Sequence, residues 1–270
     1  MKVDTGLLVS APADARQDAA AAEGAGYAGL WLSETRHDPF VTARMREYIL
    51  ALRAIWACWN DGTKLSFRGE FYTHTLMTPF FNPGPNAHVA PRVLLAGVGE
   101  VMTAVAAEVA DGFLCHGFTT ERYLREVTRP ALVRGRPDLA GYEISGSPLV
   151  ATGRTEEEMA DAKRRVREQI AFYGSTPAYR GVLELHGWGG LSGELNRLSK
   201  QGRWQDMGLA IDDEVLHTFA VVAEPDAVAA ELLRRYGDLM TRMTLYTPCG
   251  IDPAISAQIT ADLRERKVVA

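Results

Sequence analysis

The chain has few cysteines, no long apolar run and no concentrated block of positive charge, and each shortage closes off a class of function. Three cysteines in 270 residues (Cys58, Cys115 and Cys249) are odd in number and far apart. They suggest neither a disulfide framework nor a zinc site. No apolar stretch approaches the ~18 residues that a membrane span needs. The start Met1-Lys2-Val3-Asp4 puts an acid where a secretory leader has its apolar run. Lysine and arginine number 29 against 34 aspartate and glutamate, a formal net charge of −5. Nucleic acid is therefore not an expected partner, because phosphate binding needs clustered positive charge. A serine elbow is missing and no Cys/His pair stands out by position, so nucleophilic hydrolysis has no support. Hydrophobic residues at 47% and charged residues at 23% are what a chain with a buried core needs. The expectation is a soluble, reduced, cytoplasmic protein without a membrane partner.

Along the chain, short β-branched or apolar runs alternate with helical patterns. Lys2 to Val9 reads as a strand, the Ala-rich stretch from Asp14 to Gly24 as a helix, and Gly29-Leu30-Trp31-Leu32-Ser33 as a second strand. A strand, a helix of about three turns and a strand form a βαβ unit, whose crossover makes the strands parallel. Pro91 to Ala96 is a further strand, and the turn Gly97-Val98-Gly99 leads into a helix from Glu100 to Ala110. Phe113 to His116 and Ser147 to Thr152 read as strands. Thr155-Glu156-Glu157-Glu158 reads as a capping box opening a charged helix to Phe172. The helix Asp226–Arg235 and the strand Met243–Tyr246 close the pattern, and residues 174–208 read as helical insertions. One α/β domain over 1–270 with a parallel sheet is expected. Six candidate strands are counted, whereas a closed (β/α)8 barrel has eight in about 250 residues.

Three places carry candidate chemistry. Past the second strand, Glu34-Thr35-Arg36-His37-Asp38-Pro39-Phe40 gathers an imidazole, two carboxylates and a guanidinium where parallel α/β folds bind ligands. His37 can move a proton near neutral pH, tuned by a neighbouring carboxylate. The same residues also read as a polar loop that caps the next helix at Asp38-Pro39. The turn Gly97-Val98-Gly99-Glu100-Val101 offers helix N-terminal amides to an anion, or is a plain tight turn. It lacks the third glycine of a dinucleotide fingerprint and the lysine of a P-loop. His116 ends a strand at the ligand-facing rim, a place where a histidine is more often hydrogen-bonded structure than a catalyst. His74, His88, His186 and His217 lack metal-ligand spacing. Trp56 and Trp59 flank Cys58 in a helix whose Ile49, Leu52, Ile55 and Trp56 form a core-facing stripe. Trp188 and Trp204, in the insertion, read as core packing, with lining of a substrate mouth as the other reading.

These residues carry a resemblance. The segments Met1-Lys2-Val3-Asp4, Gly29-Leu30-Trp31, Glu34-Thr35 with His37-Asp38-Pro39-Phe40, Ala43-Arg44-Met45-Arg46-Glu47-Tyr48, Ala107-Glu108-Val109-Ala110-Asp111-Gly112-Phe113 and Arg235-Tyr236-Gly237-Asp238 occur in family order. The chain resembles the luciferase-like flavin and deazaflavin oxidoreductases, above all the actinobacterial branch that uses coenzyme F420. The resemblance implies a TIM-barrel fold, hydride chemistry on a small organic substrate, and a homodimer. Glu34 matches the acid at the cofactor ring, and Gly97, Val98, Gly99, Glu100 and Val101 match the turn that grips its phosphate. Asp38 and His116 are further cofactor contacts on this reading, and His37 is the candidate catalytic proton carrier. Two features depart from the pattern. About two βα units, roughly 60 residues, that relatives carry after the Asp-Pro-Phe loop are missing between Phe40 and Ala43, so strands 3 and 4 of the barrel are absent from the sequence. The histidine that many relatives place directly after the acid is Thr35 here. An FMN-dependent monooxygenase and a degenerate barrel that only binds a ligand or partner are the alternatives.

Overall fold

The structure is a computed structural model that describes residues 1–7, 20–21, 23–26, 29–32, 42–88, 91–248 and 250–265. Strand β1 (Lys2–Leu7) and strand β2 (Gly29–Leu32) come first, then helix α1 (Thr42–Asp61) and the short strands β3 (Phe67–Arg68) and β4 (Thr73–His74). Strand β5 (Leu94–Gly97), helix α2 (Glu100–Val109) and strand β6 (Gly112–Cys115) follow. A helical run, α3 (121–135), contains a π-helical turn at Leu124–Thr128. Next come β7 (Glu143–Gly146), β8 (Leu149–Ala151) and α4 (Glu156–Gly174). Four helices, α5 (Arg180–Leu185), α6 (Gly189–Lys200), α7 (Trp204–Leu209) and α8 (Asp213–Phe219), lead to β9 (Ala220–Val222). The chain then runs through α9 (Pro225–Tyr236), β10 (Arg242–Thr244) and α10 (Pro253–Glu265).

Two compact units emerge. The first comprises Met1–Thr35, Cys115–Pro130 and Glu143–Ala270, the second Arg36–Leu114 and Ala131–Tyr142. In the first unit a parallel sheet runs β2-β1-β10-β7. Its first and last strands are neighbours, with Lys2 opposite Arg242 and Val3 opposite Met243. A parallel pairing of first with last strand is what closing a β/α barrel requires. Strands β8 and β9 form a second parallel pair, and Tyr246 joins it by accepting from Val150 N–H at 2.9 Å and donating to Pro148 O at 3.0 Å. The core of this unit is dense. Val166 and Ile170 of α4 meet Leu183, Leu195, Leu216 and Phe219, all fully buried.

The local chemistry explains the elements. Thr155 caps α4 by accepting from Glu158 N–H, and the Glu158 carboxylate returns to Thr155 N–H, the expected capping box. Residues 174–208 are helical as expected. Four strands escape sequence reading: the two-residue β3 and β4, and also β7 and β9. β9 continues directly from the end of α8 with no turn residue between Phe219 and Ala220, and β7 lies just before the strand expected at Ser147–Thr152, which shortens to β8. The expected strand over Met243–Tyr246 ends at Thr244, with Tyr246 making an isolated bridge to Leu149. Of the helix expected over Asp14–Gly24, only residues 20–21 and 23–24 are described, and these are helical.

In the second unit β5 lies beside β6, and α2 follows β5. Among the described residues, no parallel strand lies between Leu32 and Leu94. That span holds α1 and the antiparallel hairpin β3–β4. This agrees with a sequence that lacks the third and fourth barrel strands. The apolar stripe of α1 is only partly covered: Ile49 is buried, while Leu52, Ile55 and Trp56 are half-buried.

Candidate functional site

Within the second unit, Gly97, Val98, Gly99, Glu100 and Val101 come together as the turn between β5 and α2. Gly99 is the N-cap of α2 and supplies no side-chain cap, so the first helical amides face outward without an intrahelical partner. A Cβ at Gly97 would lie 3.2 Å from Met102 and Phe113, whereas one at Gly99 would meet nothing within 4 Å. The turn is therefore tight behind and open in front. Glu100 forms an ion pair with Arg134 at 2.5 Å, so the one carboxylate of the turn is matched by a guanidinium. Val101 is exposed. An open, uncapped helix N-terminus with a neutralised acid favours an anion.

The other segments of the expected pattern tie this unit together. Arg46 binds Glu108 through a two-pronged contact of 2.9 and 2.5 Å, and Arg53 reaches Asp111 at 2.9 Å and Val109 O at 3.1 Å. The Asp111 carboxylate also accepts from Val93 N–H at 2.8 Å, which holds the entry to β5. Glu47 accepts from the backbone N–H groups of Glu70, Phe71 and Tyr72 at 2.8, 2.8 and 2.5 Å and so fixes the hairpin turn to α1. Arg46, Glu47, Glu108 and Asp111 are thus structural ties.

In the first unit, His116 stands just past β6. Its Nδ1 accepts from Phe118 N–H at 3.0 Å, and Nε2 lies 3.3 Å from the Tyr179 hydroxyl. The ring stacks on Tyr179 (centroids 4.6 Å, 23°) and meets Tyr173 edge-on (4.8 Å, 81°). Burial pushes its pKa below that of a free histidine. An acceptor at Nδ1 and a lowered pKa make this a neutral imidazole with its proton on Nε2. Tyr173 and Tyr246 join hydroxyls at 2.9 Å, and burial, then the Tyr173 hydrogen bond, pushes the Tyr246 phenol up. Gly117 allows this packing, since a Cβ there would lie 3.0 Å from the Tyr246 ring and 3.1 Å from Ser147 O. Beneath lie Phe118 and Phe219, stacked at 4.5 Å.

Tyr173, Tyr179 and Tyr246 were not legible as a group. They lie on α4, on the 3-10 turn Pro177–Tyr179 and past β10. The one available signal was Tyr246, two residues beyond a strand end on the ligand-facing rim. Glu34, His37 and Asp38 lie outside the described residues. His116 belongs to the first unit and the Gly97–Val101 turn to the second. The remaining histidines make no metal cluster, and no group of metal-ligating side chains occurs among the described residues. His186 bonds Thr120 Oγ1 at 2.9 Å and stacks on Trp188, which packs against the core, while Trp204 is exposed. No helix among the described residues is long and apolar enough to cross a membrane.

The α/β architecture, with a parallel sheet in which the first strand pairs with β10, is of the β/α-barrel class. The chain belongs to the luciferase-like monooxygenase family, whose pattern it matches over residues 42–242. It is 54% identical over 204 residues to the uncharacterized protein Rv1360 of Mycobacterium tuberculosis, a match covering 74% of this chain and 60% of that protein. The matched stretch thus spans about three fifths of the length of that relative. It is 24% identical over 225 residues to a 5,10-methylenetetrahydromethanopterin reductase of Archaeoglobus fulgidus, covering 80% of this chain and 63% of that one. The fold is similar to the coenzyme F420-dependent tetrahydromethanopterin reductase of Methanopyrus kandleri, with TM-score 0.62, 14% identity, and coverage of 97% and 81%. It is equally similar to an F420-dependent secondary alcohol dehydrogenase in complex with an F420-acetone adduct (0.62, 12%, 97% of each chain). The EDTA monooxygenase of Chelativorans sp. BNC1 is more distant, at TM-score 0.51 and 15% identity, covering 98% of this chain and 74% of that one.

Proposed function

We propose that this oxidoreductase passes a hydride between coenzyme F420 and a small organic substrate. The observation that carries the reading is the turn at 97–101, with its uncapped α2 N-terminus, open front at Gly99 and Glu100 neutralised by Arg134. These features fit the phosphate of a deazaflavin coenzyme. The names of the Methanopyrus kandleri reductase and the secondary alcohol dehydrogenase, both similar in fold, support the same cofactor. When bound, the deazaflavin supplies two-electron hydride chemistry. The α2 amides and the Gly97–Gly99 backbone would hold its phosphate, and Glu34, Asp38 and His116 are the proposed further contacts. His37 would exchange the accompanying proton with the substrate. The barrel's task is to hold donor and acceptor in line and keep water out.

A second reading, an FMN-dependent monooxygenase, draws on the family's description and on the EDTA monooxygenase. A fluorescence titration of the purified chain with F420, and with FMN as competitor, separates the two. Saturable F420 binding that FMN does not displace is expected. Preferential FMN binding with substrate-dependent oxygen uptake would replace this reading with the second. Gly99→Pro should weaken binding of whichever cofactor is held, because it constrains the turn that caps the helix. His37→Ala should lower turnover strongly with cofactor affinity nearly unchanged, and unchanged turnover would remove His37 from its role. A homodimer in the cytoplasm is the proposed setting, and size-exclusion chromatography with light scattering tests the dimer.

A further inference from the structure

Two hydrogen-bond chains at the rim of the first unit each end in a phenol with a proton left to give. Phe118 N–H donates to His116 Nδ1, so the neutral ring donates its Nε2 proton to the Tyr179 oxygen, and the Tyr179 proton stays free. In the Tyr173–Tyr246 pair one hydroxyl donates and the other accepts, so the accepting phenol keeps its own proton. The Tyr173 ring touches the members of both chains: His116 at 4.8 Å, Tyr179 at 6.0 Å and Tyr246 at 6.5 Å between centroids. His116, Tyr173, Tyr179 and Tyr246 are each half-buried, backed by Phe118 and Phe219, which are fully buried. Tyr246 and His116 lie past the carboxyl ends of β10 and β6, where a parallel α/β fold binds its ligand.

We propose that this aromatic rim is a two-donor site for a small planar compound bearing an oxygen with anionic character, a conjugated carbonyl or a phenolate. One donor is Tyr179 and the other comes from the Tyr173–Tyr246 pair. Flat aromatic walls select a planar body, and paired O–H donors favour the oxygen as it gains charge. Burial raises the pKa of both Tyr179 and Tyr246, which keeps them protonated as donors. Besides the cofactor contact proposed for it above, His116 aims Tyr179 through its fixed tautomer. The proposal names the substrate class for the oxidoreductase reading and rests on it, but its test needs no cofactor.

The probe is 4-nitrophenol, whose phenolate absorbs in the visible while the neutral form does not, titrated into the full chain without cofactor at a fixed pH where both forms are present. The expected result is saturable binding with a rise in the phenolate band, and much weaker binding of 4-nitroanisole, which has no ionisable oxygen. Tyr179→Phe should weaken phenolate binding about tenfold or more, as loss of a hydrogen bond to a charged group does. Tyr173→Phe and Tyr246→Phe should each cost less than the double variant, since one hydroxyl of the pair remains. Equal binding of nitrophenol and nitroanisole, or no binding, overturns the proposal. So does phenolate binding that Tyr179→Phe and the double variant leave unchanged. Thermal unfolding of each variant checks that it folds, and Tyr179→Phe alone decides the matter if the double variant does not. F420 binding by a chain that ignores nitrophenol would sink this site and leave the cofactor reading standing.

Discussion

Helices α1 and α4 are nearly equal in length, 20 and 19 residues, yet different forces hold them in their two units. α4 buries Ala162, Val166, Ile170, Ala171 and Gly174 along one stripe. α1 buries only Ile49, Ala51 and Cys58 and is tied by Arg46–Glu108, Arg53–Asp111 and the Glu47 carboxylate. Exposed large apolar side chains are more frequent in the second unit, although Leu209 of the first is itself 83% exposed. Leu76, Phe80 and Phe81 of the second unit are 78%, 87% and 71% exposed, in a unit where, among the described residues, no parallel strand precedes β5. The contrast teaches that one chain can trade apolar burial for directional charge contacts in a helix that has little apolar cover. Such contacts fix geometry well but contribute little stability when exposed.

The largest expected effect tests the apolar side. Phe219 is fully buried, stacked on Phe118 and packed near Trp188. Phe219→Ala should destabilise the first unit by about 3–5 kcal/mol through lost transfer energy and a cavity, read by urea unfolding followed in the far-ultraviolet. A loss below about 1 kcal/mol would mean that this core is no better packed than the second unit. Thr155→Ala comes next. It removes the α4 cap and should cost about 1 kcal/mol, with Ser restoring most of it.

The charge side is tested by acid. Burial pushes the Glu47 carboxyl up, and the N–H groups of Tyr72, Phe71 and Glu70 more than offset this, so its pKa lies below the ordinary value. The Arg46 hydrogen bond holds Glu108 low in the same way. Because both folded pKa values are depressed, their stabilisation is present above the unfolded value of 4.5 and is lost as pH falls through the folded values. Hydrogen exchange across residues 70–72, corrected for intrinsic rate, should therefore accelerate on acidification below pH ~4.5 before that of α4 does. Glu47→Gln should produce much of the same loosening at neutral pH. Simultaneous loss of protection in both places would show that the two units unfold as one.

Several local elements of both units are legible in the residues, whereas one domain over 1–270 is what the sequence led to expect. The capping box at Thr155 and the turn Gly97-Val98-Gly99 each consist of residues adjacent in the chain, so their geometry could be read locally. The gap between Phe40 and Ala43 also showed itself as a shortage of strands. β9 was hidden because three residues, Ala220–Val222, follow a helix without a turn signal. The tyrosine rim was hidden for a different reason: the hydroxyls of Tyr173 and Tyr246 meet across 73 residues of sequence, and no local spacing encodes a tertiary contact. The stripe Ile49, Leu52, Ile55 and Trp56 reads as the core-facing side of a helix; the helix forms, but only Ile49 of the four is buried. Its half-burial depends on neighbours that periodicity does not reveal.

The smallest expected effect on stability sharpens the comparison most. Phe80 and Phe81 meet edge-to-face at 5.0 Å and 90°, but both rings stand largely in solvent. An exposed pair loses little burial when replaced, so Phe80→Ser with Phe81→Ser should change unfolding free energy by no more than about 0.5 kcal/mol per site. The same substitutions remove two large exposed apolar side chains from that stretch, and such surface promotes association. The variant should therefore be more soluble and show fewer large species by light scattering, with the thermal midpoint nearly unmoved. A destabilisation near that of Phe219→Ala would place these rings in a core and erase the distinction between a unit held by packing and one held by charge. Unchanged stability together with unchanged association would keep the distinction but show that the exposed rings carry no cost in solubility.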